Sequence, residues 1–393
     1  MPHIRISAFE IPALPFEAEG VRFEWYAENL EHGGEGLLGV EVSGVPFLLQ
    51  VKAKGDSVLI KSEKISRPSP NALIKKALQA YIATVRPQVL YSNIANVEQA
   101  KLKEPLPSLK EIARFRADDL PEKPLWIEIG FGSGRHLIHQ AQNHPEVHLI
   151  GLEIHRPSLE QVMRRIDLEG IDNVWVIDYD ARLFMELLPS NRVERIFIHF
   201  PVPWDKKPHR RVISEPFLDE AMRVLVPDGT LELRTDSENY FRYAMEIFTR
   251  PKRVRFTVEK NGEAAVRSKY EERWLRQEKD IYEVHVEAPE ISEERKITKD
   301  FSFPCAPSVT DLYQKRPQKA TIKEDFFVHF ERFYSINGQE GLVRVSLGSF
   351  DRPEHKFLLN RNGKVFYYPH EPVATQTNLK AHRAIKEWLC ETS

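Results

Sequence analysis

Three glycines fall within five positions, Gly130, Gly132 and Gly134, directly after the apolar run L-W-I-E-I and before an amphipathic stretch through Leu137, Ile138 and Ala141. Glycine is needed where a backbone turns at positive φ, and where a ligand comes too close to leave room for a Cβ. A strand running into such a turn and then a helix is the place where open α/β sheets hold ligands, outside the carboxyl ends of the strands. A nucleotide-type cofactor is the expected tenant.

The spacing discriminates further. A dinucleotide fingerprint is G-x-G-x-x-G, with the third glycine opening the helix against a pyrophosphate. Here the spacing is G-x-G-x-G, Arg135 stands where that third glycine would be, and Glu128 precedes the loop inside the strand. A carboxylate beside the loop suits a cationic ligand better than a diphosphate. Glu153 ends the next apolar run, where a carboxylate can accept from both ribose hydroxyls. Asp180, in D-Y-D-A after the third run, is placed to face an adenine ring. Taken singly, each carboxylate reads as an ordinary loop residue. Three in order at three strand ends point to one ligand, and S-adenosylmethionine, with its sulfonium and ammonium groups, fits the sign of charge.

The segment I-H-F-P-V-P-W-D-K-K-P-H-R-R, residues 198–211, has a different chemistry. Two prolines fix the backbone after a strand, and Trp204 offers a stacking face. Lys206, Lys207, Arg210 and Arg211 outnumber Asp205. Basic groups neutralise phosphates and aromatic rings stack on bases, so a nucleic-acid substrate is expected beside the cofactor pocket. Arg250, Lys252, Arg253 and Arg255 can extend that track, although a solvated charged loop explains them alone. Asp236 is a further strand-end carboxylate, in L-R-T-D. Ser268 and Glu271 are spaced as a helix capping box, and the same hydroxyl and carboxylate can also hold the edge of a base.

These residues need an α/β frame. Apolar runs near 125–129, 147–152, 174–177, 195–200 and 230–233 alternate with helical stretches, the sequence form of βαβ units on a parallel sheet. Runs at 254–258 and 281–286 alternate more visibly and suit an edge hairpin, for about seven strands over 119–290. Residues 1–118 read as a β-rich accessory module ending in an amphipathic helix through Ile74, Ala77, Leu78, Tyr81 and Ile82. Charge and proline mark a linker over 291–320, and 321–393 form a second accessory module. The flanks resemble each other. E-G-L-L-G-V-E-V from Glu35 matches E-G-L-V-R-V-S-L from Glu340, and F-L-L-Q from Phe47 matches F-L-L-N from Phe357. The closing helices repeat their apolar spacing at one offset, with Asn71 and Asn378 placed ahead of them. The expectation is one module present twice, against the alternative that any hairpins followed by a helix look alike.

Composition bounds the rest. With 56 Lys plus Arg against 58 Asp plus Glu, the chain carries no basic coat and no acidic tail. No apolar run is long enough for a membrane span, and the amino terminus lacks the uninterrupted apolar region of a signal peptide. Cys305 and Cys390 fit neither a disulfide framework nor a zinc-ligand spacing, so free thiols in a reducing, cytoplasmic setting are expected. No metal is called for, and the oligomeric state stays open.

From about 121 to 287 the chain resembles the tRNA (guanine-N7)-methyltransferase family. The likeness rests on E-I-G-F-G-S-G, G-L-E-I-H at Gly151, D-A at Asp180, F-P-x-P-W with the following K and R-R, T-D at Thr235 and S-x-x-E from Ser268. It implies a seven-stranded Rossmann-like core and transfer of a methyl group from S-adenosylmethionine to a guanine of tRNA, at variable-loop position 46 in tRNA numbering. It also implies that Glu128, Glu153 and Asp180 hold the cofactor together with Gly130, Gly132 and Gly134. Lys206, Asp236, Ser268 and Glu271 would hold the substrate, with Asp236 as the catalytic residue. Two residues depart from the family: Val202 stands where it usually has Asp, and Ser268 where it has Thr. Guanine N7 carries a lone pair and no proton, so the reaction needs alignment rather than a general base. Asp236 can supply the carboxylate, or Asp205 and His199 can take over part of that role. The other readings are a non-catalytic RNA-binding protein on a methyltransferase scaffold, and a methyltransferase of a small molecule.

Overall fold

The structure is a computed structural model that describes residues 2–68, 71–94, 108–112, 115, 117–262, 279–295, 299–350 and 352–392. The chain forms two compact units. One is Pro105–Thr298; the other is built from both flanks, Met1–Glu104 with Lys299–Ser393.

The first flank contributes β1 (His3–Ile6), β2 (Phe16–Ala18), β3 (Val21–Asn29), β4 (Glu35–Val42), β5 (Val45–Lys54), β6 (Ser57–Ser62), helix α1 (Ala72–Val85) and β7 (Val89–Ser92). Strands β3 to β6 form an antiparallel meander. The apolar stripe of α1, with Ile74, Ala77, Leu78 and Tyr81, packs on Phe23, Leu38, Val40, Phe47 and Leu49.

The central unit runs β8 (Leu125–Ile129), α2 (Arg135–Asn143), β9 (His148–Leu152), α3 (Arg156–Leu168), β10 (Val174–Ile177), α4 (Ala181–Phe184), β11 (Val193–His199), α5 (Glu215–Val224), β12 (Leu225–Thr235), α6 (Glu238–Phe248), β13 (Arg255–Lys260) and β14 (Tyr282–Glu287). Its sheet order is β10-β9-β8-β11-β12-β14-β13. The first five strands are parallel, and β13 and β14 form the antiparallel pair expected from their alternation. Helices cover both faces. Leu137, Leu159 and Val162 of α2 and α3 pack with Trp126 and Phe197, while Phe217, Tyr240 and Phe248 of α5 and α6 pack with Ile127 and Ile196. Double coverage explains why β8 and β9 are buried at every position and read as unbroken apolar runs. The strand order reverses between β8 and β11, which puts the crevice beside the glycine loop.

The second flank supplies α7 (Val309–Gln314), β15 (Thr321–Ile322), β16 (Phe327–Ser335), β17 (Gly341–Gly348), β18 (Glu354–Arg361), β19 (Lys364–Tyr368) and α8 (Gln376–Thr392). The flanks are not separate modules. Tyr334 and Ser335 of β16 pair with Asn29 and Glu28 of β3, joining both meanders in one sheet. Trp25, Leu37 and Leu48 share a core with Tyr334, Leu342, Phe357 and Leu359 on the faces away from the helices.

Both meanders have the same strand order, and each has a bulge in its first strand, between Phe23 and Trp25 and between Phe330 and Arg332. The E-G-L-L-G-V-E-V match is in register: Leu38, Val40 and Val42 face α1 as Val343, Val345 and Leu347 face α8. The F-L-L-Q match is out of register by one residue. Phe47 lies in the α1 core, whereas Phe357 lies in the shared core and Leu358 faces α8. A single-residue slip moves a side chain to the other face of a sheet, so that match is a coincidence of letters. Asn378 also departs from expectation. It lies inside α8, buried, and donates to Glu354 and to the Val373 carbonyl.

The stretch read as a linker is folded from residue 299 onward. Phe301, Val309 and Leu312 are buried, and Phe301 and Leu312 belong to the α8 core. Their charged and proline neighbours hid them in the sequence. Cys305 and Cys390 are joined by a disulfide rather than free, because packing this stretch against α8 brings their Cα atoms within 5.2 Å.

Candidate functional site

The glycine loop leaves β8 at its carboxyl end, still hydrogen-bonded through Gly130 N–H to the Leu152 carbonyl at 2.8 Å. Gly130 and Gly134 have φ of 69° and 67°, but for different reasons. A Cβ on Gly130 would meet nothing within 4 Å, so the loop presents a cradle with room for a ligand. A Cβ on Gly134 would come within 2.5 Å of Val162 in α3, so this glycine lets two helices approach.

Glu153, just past β9, braces the loop. One carboxylate oxygen accepts from Gly132 N–H at 3.0 Å and the other from His155 N–H at 2.8 Å. Each oxygen keeps a further lone pair for a hydroxyl donor. Asp180 caps α4, accepting from Arg182 N–H at 2.9 Å and pairing with its guanidinium at 3.2 Å. Asp178, which sequence reasoning passed over, is an exposed residue directly after β10. Partial desolvation pushes its carboxyl up and the Glu153 charge adds to that, with Arg156 opposing. The open cradle and the carboxylates at the ends of β9 and β10 fit the adenosine part of the expected cofactor.

Glu128 differs from the other carboxylates. It is 3% exposed, and its Oε2 lies 2.8 Å from His136 Nδ1 on α2. Burial alone would lower the His136 pKa, but the charge and hydrogen bond of Glu128 raise it above the ordinary histidine value, so this carboxylate already has a close partner. The pair opens a polar band across the sheet. The His136 ring contacts His199 at 4.5 Å between centroids, and His199 Nε2 is 2.7 Å from Glu232. His285 bonds Glu283 at 2.7 Å, and Arg234 bonds Glu283 as well. Burial pushes the Glu232 carboxyl up, yet its hydrogen bond to His199 and the nearby imidazole charges outweigh this and hold it at about 2. Among the described residues, Glu232, Glu283 and His285 have ligand atoms within 4.8 Å of one another, but the guanidinium of Arg234 on Glu283 answers that charge without a metal. The band was legible in part: Glu232 and Arg234, and Glu283 and His285, are charged or polar residues alternating with the apolar Leu231, Leu233, Val284 and Val286.

The segment after β11 is held in an unusual conformation. Phe200 and Trp204 have φ of 50° and 46°, a region that side chains other than glycine rarely adopt and that clusters at functional sites. Arg211 braces it. Its guanidinium is buried, donates to the Pro203 carbonyl at 2.8 Å and lies 4.4 Å from the Tyr243 ring centroid. Arg211 is therefore structural, while Lys206, Lys207, His209 and Arg210 are exposed. Arg210 lies over Trp204 at 5.1 Å, and Arg182 reaches the His209 carbonyl at 3.2 Å, tying the Asp180 turn to the basic segment. Val202 is 60% exposed, and Asp205 pairs with Arg211 at 3.4 Å.

Asp236 follows β12 and receives Lys279 Nζ at 3.0 Å. Ser268 and Glu271 lie outside the described residues. Three residues of the second basic group are answered by acids: Arg250 pairs with Glu215, Arg253 with Glu290 and Arg255 with Glu287. This favours the solvated-loop reading of that stretch.

Residues 122–284 match a family described as "Putative methyltransferase". A Wolinella succinogenes protein named tRNA (guanine-N(7)-)-methyltransferase is 44% identical over 99% of this chain and 100% of its own length. A Campylobacter fetus protein of the same name is 38% identical over the whole of both chains. Among solved structures, a Geobacter metallireducens precorrin-6y C5,15-methyltransferase aligns over 43% of this chain and 83% of its own at 17% identity and a TM-score of 0.32.

Proposed function

This chain belongs to the tRNA (guanine-N7)-methyltransferase family, and we propose that it methylates N7 of a guanine in tRNA, at variable-loop position 46, with S-adenosylmethionine as donor. The observation that carries the reading is the open glycine cradle at the switch in strand order, with the exposed basic segment leaving the very next strand. S-adenosylmethionine supplies a methyl group on a positively charged sulfur. Glu153 holds the ribose and Asp180 the adenine side, while Gly130, Gly132 and Gly134 let the backbone approach and Glu128, shared with His136, faces the cationic end. Lys206 and its neighbours take tRNA phosphates. Asp236, with Ser268 and Glu271, holds the guanine.

The bond made is N7 to carbon and the bond broken is carbon to sulfur, so the N7 lone pair enters the new bond and the pair of the broken bond leaves on the sulfur, which becomes a neutral thioether. No proton leaves N7. The protein therefore accelerates the reaction by alignment and by answering the positive charge that appears on the ring. Asp236 provides that charge from the end of β12. We also read the two flanks as copies of one meander-and-helix module, joined through β3 and β16.

Incubating the protein with labelled S-adenosylmethionine and unmodified tRNA, followed by cleavage at N7-methylguanine, tests the reading. Label at a single variable-loop guanine is expected. Cofactor binding without labelled tRNA would overturn it in favour of an RNA-binding scaffold.

A further inference from the structure

His199 is the last residue of β11, and the strand pairing that matches Ile198 with Ile129 sets it laterally beside Gly130. It therefore stands at the switch in strand order, between the glycine cradle and the segment that carries Val202. Its Nε2 is held by Glu232 at 2.7 Å, and its ring packs against His136, with 12% of the side chain exposed. With Nε2 turned to the Glu232 carboxylate, Nδ1 is the ring nitrogen left to meet a ligand. The base that reacts at N7 has N1–H and an amino group on its other edge, both donors. Val202 has nothing to offer them.

We propose that His199, oriented by Glu232, accepts a hydrogen bond from the donor edge of the guanine and so fills the role left by the absent carboxylate at Val202. This rests on the proposed guanine substrate. Methylation at N7 puts positive charge on the ring and makes N1–H a stronger donor, so the bond to Nδ1 tightens as the methyl group moves. An interaction stronger in the transition state than in the ground state raises kcat rather than lowering KM.

Two substitutions separate this from a structural role. An Asn side chain places its polar atoms near those of Nδ1, and a Gln side chain near those of Nε2. His199→Gln keeps a partner for Glu232 and loses the acceptor; His199→Asn does the reverse. The expected result is a drop in kcat of about 10²-fold for His199→Gln, with KM for tRNA and affinity for S-adenosylmethionine little changed. His199→Asn is expected to retain more activity than His199→Gln. Adding Val202→Asp to His199→Gln is expected to restore much of the loss. The opposite order, with Gln active and Asn inactive, would mean that His199 only anchors Glu232 and would overturn the proposal, as would full activity of both. Cofactor affinity measured on each variant shows that the core has folded. The unsubstituted enzyme is the control: if it fails to methylate tRNA, the functional reading fails, whereas an active parent with indifferent variants defeats this inference alone.

Discussion

Replacing Gly130 and Gly134 in turn by alanine should separate two jobs that look identical in the sequence. Both residues sit at positive φ, where a Cβ costs about 1–2 kcal/mol. At Gly130 little else in the protein opposes the new methyl group, because the nearest space is empty to 4 Å. At Gly134 the same group meets Val162 Cγ2 at 2.5 Å and Cγ1 at 3.0 Å, and Val162 is 1% exposed in the core under α3. Overpacking of that kind costs about 1–3 kcal/mol, so Gly134→Ala should lose about 2–5 kcal/mol in all. That is a large part of the 5–15 kcal/mol (roughly) that stabilises a typical domain. Since the chain has two units, the local readout is hydrogen exchange of the β8 and β9 amides during urea unfolding, with cofactor affinity by calorimetry alongside. Gly134→Ala should weaken protection across β8 and β9. Gly130→Ala should cost less protection, only about 1–2 kcal/mol from its positive φ, but lower affinity for S-adenosylmethionine by about tenfold or more, since its methyl group occupies the cradle. Equal protection losses in both variants, or unchanged cofactor affinity in Gly130→Ala, would refute the division.

Further outcomes follow from the same geometry. Arg211→Ala should weaken tRNA binding while leaving cofactor affinity nearly unchanged, measured by filter binding and calorimetry, because the buried guanidinium holds the Pro203 turn rather than the cradle. Burial, aided by nearby Lys and Arg charges, pushes His148 and His382 down to about 4. Between about 4 and the ordinary value near 6.5 the unfolded chain binds more protons. The urea midpoint should therefore fall as pH drops through that window, and His148→Gln with His382→Gln should flatten the slope. Alkylation without reductant should label neither Cys305 nor Cys390, and a cross-link of this span should be worth about 2–4 kcal/mol to the flank unit, read as a lower midpoint after reduction.

The central unit was legible because its physics is local. A parallel strand buried on both faces must be apolar along its length, and a ligand loop at its end must be glycine-rich, so β8, its loop and α2 followed directly from the letters. Pairings between distant strands left no such mark. Nothing near Glu128 shows that His136 neutralises it, because that bond depends on α2 folding back over β8. The link from His199 to Glu232 needs β11 and β12 side by side. Arg211 read as one more phosphate ligand until its buried partners appeared. In the flanks, a likeness was visible in E-G-L-L-G-V-E-V, yet the joining of both meanders into one sheet rests on the few residues where β3 meets β16. Strand register is a property of the pair, which is why the F-L-L-Q likeness misled by one position.

The most direct test of the account replaces the target guanosine of the tRNA by 7-deazaguanosine, which keeps the N1–H and amino edge and lacks only the N7 lone pair. This tRNA is expected to bind as the ordinary one does and to accept no methyl group. Transfer of label to it at an undiminished rate would contradict the account, because the methyl group would then be going to another atom.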